Sequence, residues 1–314
     1  MTDATDLLPG FVERIHGRRG ARVRYFAGGE GPPLLLVHGY GGAAWNFAEL
    51  APLLAGRRLL IPDLPGHGAS APLPATATLT GFADVLAAVC DDEGINAVDV
   101  VGHSLGGVVG LRLAERRPQL VRRLVLAAAA GISSSTRLAE LTIALAGLIK
   151  PARIAARRID RIATSRRLRR LVFGSFEVSN ADMLSERAIH GFLRAAELHA
   201  DALSAGLALV RDDPRRGLEH VRCPVLVLWG GRDRQVPVED GFEYARRLRA
   251  PIRVIPDCGH LLIGERPDAC ARAIDEFLAL PYDPSRGVAQ PGSALRSGRR
   301  GPQFESGHPD SEGA

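Results

Sequence analysis

Gly102-His103-Ser104-Leu105-Gly106-Gly107 follows the run Val98-Asp99-Val100-Val101 and opens a helical pattern that continues to Arg117. A Gly-x-Ser-x-Gly string at a strand-to-helix junction reads as a nucleophile elbow. The chemistry explains the spacing. The serine must sit on a sharp, strained turn so that its hydroxyl projects from the end of a sheet. Gly102 and Gly106 remove side chains that would collide across that turn. The helix that follows aims its positive end and its free N–H groups at the site. The plain alternative is an ordinary glycine-rich turn, which the strand-then-helix context argues against.

A serine hydroxyl is a poor nucleophile until a base takes its proton. His260, in Pro256-Asp257-Cys258-Gly259-His260, lies in a loop after the last apolar run and before a helical pattern. His16, His190, His199, His220 and His308 have settings typical of surface histidines, and His38, His67 and His103 fall inside turn motifs that hold loops together. The base needs a carboxylate to fix its tautomer and stabilise the imidazolium. Asp233, in Trp229-Gly230-Gly231-Arg232-Asp233, follows the run Val225-Leu226-Val227-Leu228 and is placed for this. Asp240 falls inside the next helix, Asp257 is too near His260 in sequence, and Ala127 to Ser135 holds no carboxylate. The oxyanion of a tetrahedral intermediate needs donors. The backbone N–H of Leu105 and that of Tyr40, in His38-Gly39-Tyr40-Gly41-Gly42, are the candidates. Cys258 stands two residues before His260, but neighbours in a tight loop rarely face each other as a nucleophile–base pair.

Working outward, Leu34-Leu35-Leu36-Val37, Leu59-Leu60-Ile61, Leu124-Val125-Leu126 and Ile252-Arg253-Val254-Ile255 read as further strands, most of them buried and parallel. Residues 21–26 alternate as a half-exposed strand would. Helical patterns cover roughly 44–54, 79–93, 105–117, 237–249 and 267–280. Strands alternating with helices predict a mostly parallel sheet flanked by helices. The alternation breaks over residues 131–216, which read as helices only. We expect this stretch to be a helical cap over the strands' carboxyl ends, where open sheets of this kind bind ligands. The domain reading is core over 1–130, cap over 131–216, core again over 217–280, and a disordered tail over 281–314 rich in Gly, Pro, Ser and Arg.

Composition is that of a globular chain, with 46% hydrophobic and 24% charged residues among 314. No run of about 20 apolar residues predicts a membrane span. The acidic start Met1-Thr2-Asp3-Ala4-Thr5-Asp6 lacks a signal peptide's basic flank and apolar core, so a cytoplasmic location is the expectation. Four scattered cysteines show no metal-ligand spacing, and we expect neither metal nor organic cofactor. The net charge of +5 comes almost wholly from arginine, and no nucleic-acid motif accompanies it.

The strings His38-Gly39-Tyr40-Gly41-Gly42, Asp63-Leu64-Pro65-Gly66-His67-Gly68-Ala69-Ser70, Gly102-His103-Ser104-Leu105-Gly106-Gly107, Gly230-Gly231-Arg232-Asp233 and Gly259-His260 with Glu265-Arg266-Pro267 resemble the α/β-hydrolase superfamily. The likeness spans residues 20–280, in the branch of capped serine esterases. It implies an α/β-hydrolase fold and an acyl-enzyme mechanism, with a small, largely apolar ester or thioester as substrate. It is specific for fold and poorly specific for substrate. Dehalogenases and epoxide hydrolases of this fold carry an aspartate where this chain has Ser104. The carbon–carbon hydrolases usually have a tryptophan after the base, where Leu261 stands, and perhydrolases a methionine after the nucleophile, where Leu105 stands. A lyase, cyclase or acyltransferase on the same residues, a C–C hydrolase and a non-catalytic receptor remain the alternatives.

Phe173, Phe176, Met183 and Phe192 in the expected cap are candidates to line an acyl pocket, against the plainer reading that they pack cap helices together. Residues 150–170 hold Lys150, Arg153, Arg157, Arg158, Arg161, Arg166, Arg167, Arg169 and Arg170. This stretch is either a docking face for an anionic carrier, an acidic protein or a membrane surface, or a solvated helix face.

Overall fold

The apolar runs become the strands of one eight-stranded sheet in a computed structural model. It describes residues 7–17, 22–73, 75–132, 155, 157–198 and 201–281, without the side chains of 175, 176, 196, 197 and 202. The strands are β1 (Val12–His16), β2 (Val23–Gly28), β3 (Pro33–Val37), β4 (Arg58–Pro62), β5 (Val98–His103), β6 (Val121–Ala127), β7 (Val225–Gly230) and β8 (Ile252–Ile255). Their order is β1-β2-β4-β3-β5-β6-β7-β8. The pairs β1–β2 and β2–β4 are antiparallel and all the others parallel.

The central strands are apolar on both faces because both faces are covered. Leu34, Leu35, Leu36 and Val37 are wholly buried, each such side chain contributing roughly 1.5–3 kcal/mol of hydrophobic stabilisation. The edge strand β1, which the sequence reading did not anticipate, is exposed and carries Glu13 and Arg14, charges that discourage pairing with another chain. Helix α1 (Leu79–Asp92) starts where the Thr78 side chain accepts the Gly81 N–H. It buries Phe82, Leu86, Val89 and Cys90, one stripe of a 3.6-residue period. Helix α2 (Leu105–Arg116) runs buried beneath β5 and β6.

The helix expected over 44–54 is instead two 3₁₀ turns, Ala44–Phe47 and Ala51–Leu53. The Asn46 side-chain oxygen accepts the Ala43 N–H and closes the first turn, and Pro52 brings no N–H to the second.

Between β6 and β7 lie α3 (Ile159–Thr164), α4 (Arg166–Glu177), α5 (Glu186–Leu198) and α6 (Ala202–Arg211), and the described residues of this stretch include no strand. Ser165 caps α4, and Asp201 caps α6. These helices own a small core of Ile162, Phe173, Val178, Leu184, Ile189 and Leu193. They meet the loops that leave the carboxyl ends of the sheet. The Asp201 N–H donates to Gly66 O after β4 (3.0 Å), and the Leu261 N–H after β8 donates to Glu177 O (3.0 Å). The return to the sheet is fastened by the buried Arg112 guanidinium of α2, which donates to Asp212 Oδ2 (3.1 Å), Asp213 O (2.8 Å) and Arg216 O (2.7 Å). Helices α7 (Val238–Leu248), α8 (Leu262–Glu265) and α9 (Pro267–Leu278) complete the core. No helix among the described residues is long and apolar enough to cross a membrane. His199, Lys150, Arg153, His308 and the tail from Tyr282 lie outside the described residues.

Candidate active site

The order β4-β3-β5 puts the reversal of winding between β3 and β5, and ligands of open α/β sheets bind outside the strand ends at such a point. Val37 at the end of β3 pairs with Gly102 at the end of β5. The loop at 38–42 and the turn at 103–105 are therefore neighbours.

Ser104 sits between β5 and α2 with φ +53° and ψ −118°, a backbone conformation that L-residues adopt only under constraint. The flanking glycines supply the constraint. A Cβ at Gly106 would stand 2.2 Å from Val37 O, and one at Gly102 would stand 2.3 Å from Gly106 O. The elbow thus packs backbone on backbone.

Asp233 follows β7 and is fully buried at its carboxylate. Its Oδ1 accepts the N–H groups of Gln235 and Val236, both at 2.8 Å. Its Oδ2 accepts from His260 Nδ1 at 2.8 Å. Nδ1 is therefore the protonated nitrogen, and Nε2 is left with a lone pair. The rival carboxylates are engaged elsewhere. Asp240 lies within α7 and accepts the Ile132 N–H (2.9 Å), while Asp257 is exposed and paired with Arg232. The imidazole of His260 and the hydroxyl of Ser104 line one cavity of about 100 Å³. No hydrogen bond joins the two groups, an arrangement common before a substrate tightens such sites.

The amide N–H groups of Tyr40 and Leu105 have no acceptor among the described residues. Leu105 is the first residue of α2, where a helix has no internal partner for its N–H. Tyr40 is held in a turn closed by the Gly42 N–H on Gly39 O at 3.1 Å. That turn rests on a second one. His38 donates from Nδ1 to Gly39 O (2.8 Å) and accepts the Leu64 N–H at Nε2 (2.9 Å). Asp63, wholly buried, is neutralised by Arg24 and accepts the N–H groups of Ala44 (2.8 Å) and Ala69 (3.0 Å). His103 donates from Nε2 to His260 O (2.9 Å); burial and the adjacent His260 push its pKa down to about 3, so it stays neutral. His38, His67 and His103 all hold loops, as their turn motifs suggest.

Cys258 is buried, its thiol pushed up by burial, and its Sγ lies against Gly259 O. It is not poised as a thiolate. Among the described residues no group of His, Cys, Asp and Glu is arranged to hold a metal ion.

The remaining walls of the cavity come from Ala130, Leu209, Val236 and Leu261, with polar groups from Asn46, Gln235 and Glu177. Phe173, Met183 and Phe192 are not among its lining residues. Phe173 is buried in the core of the inserted helices with Phe192 beside it, ring centroids 6.4 Å apart. Met183 is exposed beside Glu49 and Arg266 in a separate depression. A short helical layer needs its large side chains for its own core, which leaves smaller ones to face the cavity. Phe176 lies on α4, its side chain outside the described set.

Glu177 is the group that sequence reading missed. Burial pushes its carboxyl up to about 7, with the nearby His260 opposing the shift. Its one signal in sequence is an acid placed shortly after a run of arginines, which says nothing about a cavity.

A mostly parallel sheet with a serine on a strained elbow, a histidine bonded to a buried aspartate and helices inserted between β6 and β7 defines the α/β-hydrolase fold. Residues 34–273 match the family model described as the alpha/beta hydrolase family, and the chain belongs to that family. It is 33% identical to a pimeloyl-[acyl-carrier protein] methyl ester esterase of Aromatoleum aromaticum, over 79% of this chain and 98% of that one. It is 31% identical to a 2-hydroxymuconate semialdehyde hydrolase of a Pseudomonas species, over 83% and 91%. Similarity extends to the dihydrolipoyllysine-residue acetyltransferase component of the acetoin cleaving system. The identity is 32% in both Pseudomonas putida and Cupriavidus necator, where the match covers 82% and 77% of this chain but only 67% and 62% of those longer ones. Among solved structures, a hydrolase from Pseudomonas aeruginosa superposes with a TM-score of 0.67 at 25% identity, over 87% of this chain and all of that one.

Proposed function

We propose that the chain is a serine hydrolase that cleaves a carboxylic ester or thioester of a small, largely apolar substrate through an acyl-enzyme. The observation that carries this reading is the 2.8 Å bond from His260 to the buried Asp233, with the same imidazole sharing a cavity with the strained Ser104. In this reading Ser104 attacks the carbonyl carbon while His260 Nε2 takes the hydroxyl proton. Asp233 holds the imidazolium, and the N–H groups of Tyr40 and Leu105 receive the oxyanion. His260 then gives its proton to the leaving alcohol or thiol. Water, deprotonated by the same nitrogen, releases the acid and restores Ser104. The segment 131–216, which carries α3 to α6, serves as the cap, with core segments at 1–130 and 217–280. The compartment is cytoplasmic, in keeping with four buried, unpaired thiols.

A fluorophosphonate probe with peptide mapping tests this directly: the label falls on the peptide holding Ser104 and vanishes in Ser104→Ala. p-Nitrophenyl esters of graded chain length supply the activity. A mapped label on any other residue sinks the proposal.

The second reading keeps the three residues and changes the reaction to acyl transfer or carbon–carbon hydrolysis, favoured by the acetyltransferase component and the semialdehyde hydrolase among the relatives. Ser104 labels under both readings, but only the first gives ester turnover at every accessible chain length. As for partners, Arg157, Arg158, Arg161, Arg166 and Arg167 face solvent, while Arg169 turns inward onto Ala163 O. This face is proposed to receive an anionic carrier or surface, a contact that should weaken with salt.

A further inference from the structure

We infer that Glu177 is a specificity residue, accepting a hydrogen bond from a hydroxyl or amino group that the substrate carries close to the bond being cleaved. This rests on the serine-hydrolase reading above and adds a substrate class to it.

The first observation is a contrast among carboxylates. Asp63 has Arg24 and two backbone N–H groups. Asp99 has the Arg122 guanidinium. Asp233 has His260 and two N–H groups. Glu265 has three N–H groups. Among the described residues Glu177 has no side-chain hydrogen-bond or ion-pair partner, and it lies in the cavity wall with Ser104 and His260. Glu177 is half-buried, whereas those four are buried, and a carboxyl that faces a cavity without a protein partner is open to a donor on a ligand. The other carboxyls show that this fold supplies partners freely.

The second observation is that the position is fixed. Glu177 ends α4, and its carbonyl accepts the N–H of Leu261, the residue after the base (3.0 Å). The next two residues after Val178, Ser179 and Asn180, donate to Glu265, which also accepts from Gly259 on the other side of His260 (3.1, 2.7 and 2.7 Å). The backbone that carries the carboxyl is thereby held at a set place relative to the loop bearing His260. The third is the neighbourhood. Ala130, Leu209, Val236 and Leu261 offer a substrate no hydrogen bond from their side chains, and of the polar lining residues Asn46, Gln235, Tyr40 and Glu177 only Glu177 is a carboxyl. Because Glu177 lines the same cavity as Ser104 and His260, the donor it receives is placed on the acyl or alcohol group next to the scissile bond.

The test compares kcat/KM for matched esters, with Ser104 labelling as a check on the site. Acyl-side probes are the p-nitrophenyl esters of butyrate, 3-hydroxybutyrate and 3-aminobutyrate; alcohol-side probes are ethyl, 2-hydroxyethyl and 2-aminoethyl butyrate. The expected result is that a donor-bearing ester outruns its parent by about 10- to 100-fold, the worth of a hydrogen bond to a charged or buried partner. In Glu177→Leu that ratio falls to about one. Glu177→Gln keeps an acceptor oxygen but no charge, so it retains preference for a hydroxyl and loses preference for an ammonium, which tells the two apart. Equal loss on parent and donor-bearing esters assigns Glu177 to support of the imidazolium and overturns the inference, as does a ratio near one in the unaltered protein. If Ser104 neither labels nor turns over any ester, the underlying reading falls and takes the inference with it.

Discussion

The Gly259 N–H donates to Glu265 Oε2 at 2.7 Å, and the same carboxylate takes the N–H groups of Ser179 and Asn180. A single buried side chain of α8 therefore ties the loop bearing His260 to the end of the inserted helix α4. Glu265→Gln replaces one acceptor oxygen by a donor that faces an N–H. We expect a loss of about 2–3 kcal/mol, read as a melting temperature lower by about 5 °C or more. A variant that melts with the parent would show that the clasp contributes nothing.

Under the proposed mechanism Ser104→Ala removes the attacking hydroxyl and leaves the elbow's backbone in place. Because residues of such a triad act as a unit, kcat/KM on p-nitrophenyl butyrate should drop by about 10⁴-fold or more. Residual activity within tenfold of the parent contradicts the assignment.

Asp233→Asn keeps the shape of the side chain but removes the charge that selects the Nδ1–H tautomer. A decrease in kcat of about 10³- to 10⁴-fold is expected, with KM altered far less. Steady-state kinetics on one ester separates the two constants. Asp257→Asn, at an exposed pair with Arg232, serves as the comparison and should cost little.

Glu177 gives a pH signature in stability. Its folded-state pKa is raised to about 7 from the ordinary carboxyl value of 4.5. The folded form therefore holds the proton more tightly than the unfolded form, and stability is lost as pH rises between those values. Glu177→Gln should be more stable than the parent by on the order of 2 kcal/mol at pH 8. The gap should close toward pH 4, where both forms are protonated. Denaturant titrations at the two pH values measure it; a gap of the same size at both contradicts the raised pKa.

Gly106→Ala places a methyl 2.2 Å from Val37 O, a backbone atom of a central strand that cannot yield. We expect loss of soluble folded protein or a large drop in melting temperature, with Ser104 labelling falling in step. Wild-type labelling and melting would show that the elbow has more room than its packing indicates.

The central strands were legible because each is a short apolar run between helical periods, and Ser104, Asp233 and His260 because each follows such a run. The three carry their signal locally: glycines where backbones touch, an acid or imidazole where a strand stops. Glu177 carries no such signal, since its place in the cavity depends on how the inserted helices settle on the loops, and Asn46 lies in a 3₁₀ turn where the sequence reads as regular helix. The phenylalanines misled in the opposite direction. Apolar residues in a small helical layer read equally well as lining or as packing, and Phe173 and Phe192 pack. The exposed edge strand β1 escaped notice because charges at Glu13 and Arg14 hide its alternation.

The inserted helices leave the sheet after Ala127 and return at Val225, and these ends belong to strands that lie side by side, Leu124 against Val225 and Ala127 against Leu228. An excursion that starts and finishes at adjacent stations imposes no length on what is strung between them. Such a segment is free to be rewritten over generations, lengthened or exchanged, while the machinery below keeps its geometry. Bond breaking and substrate choice would then be free to diverge at separate rates wherever the inserted segment, and not the sheet, meets the reactant.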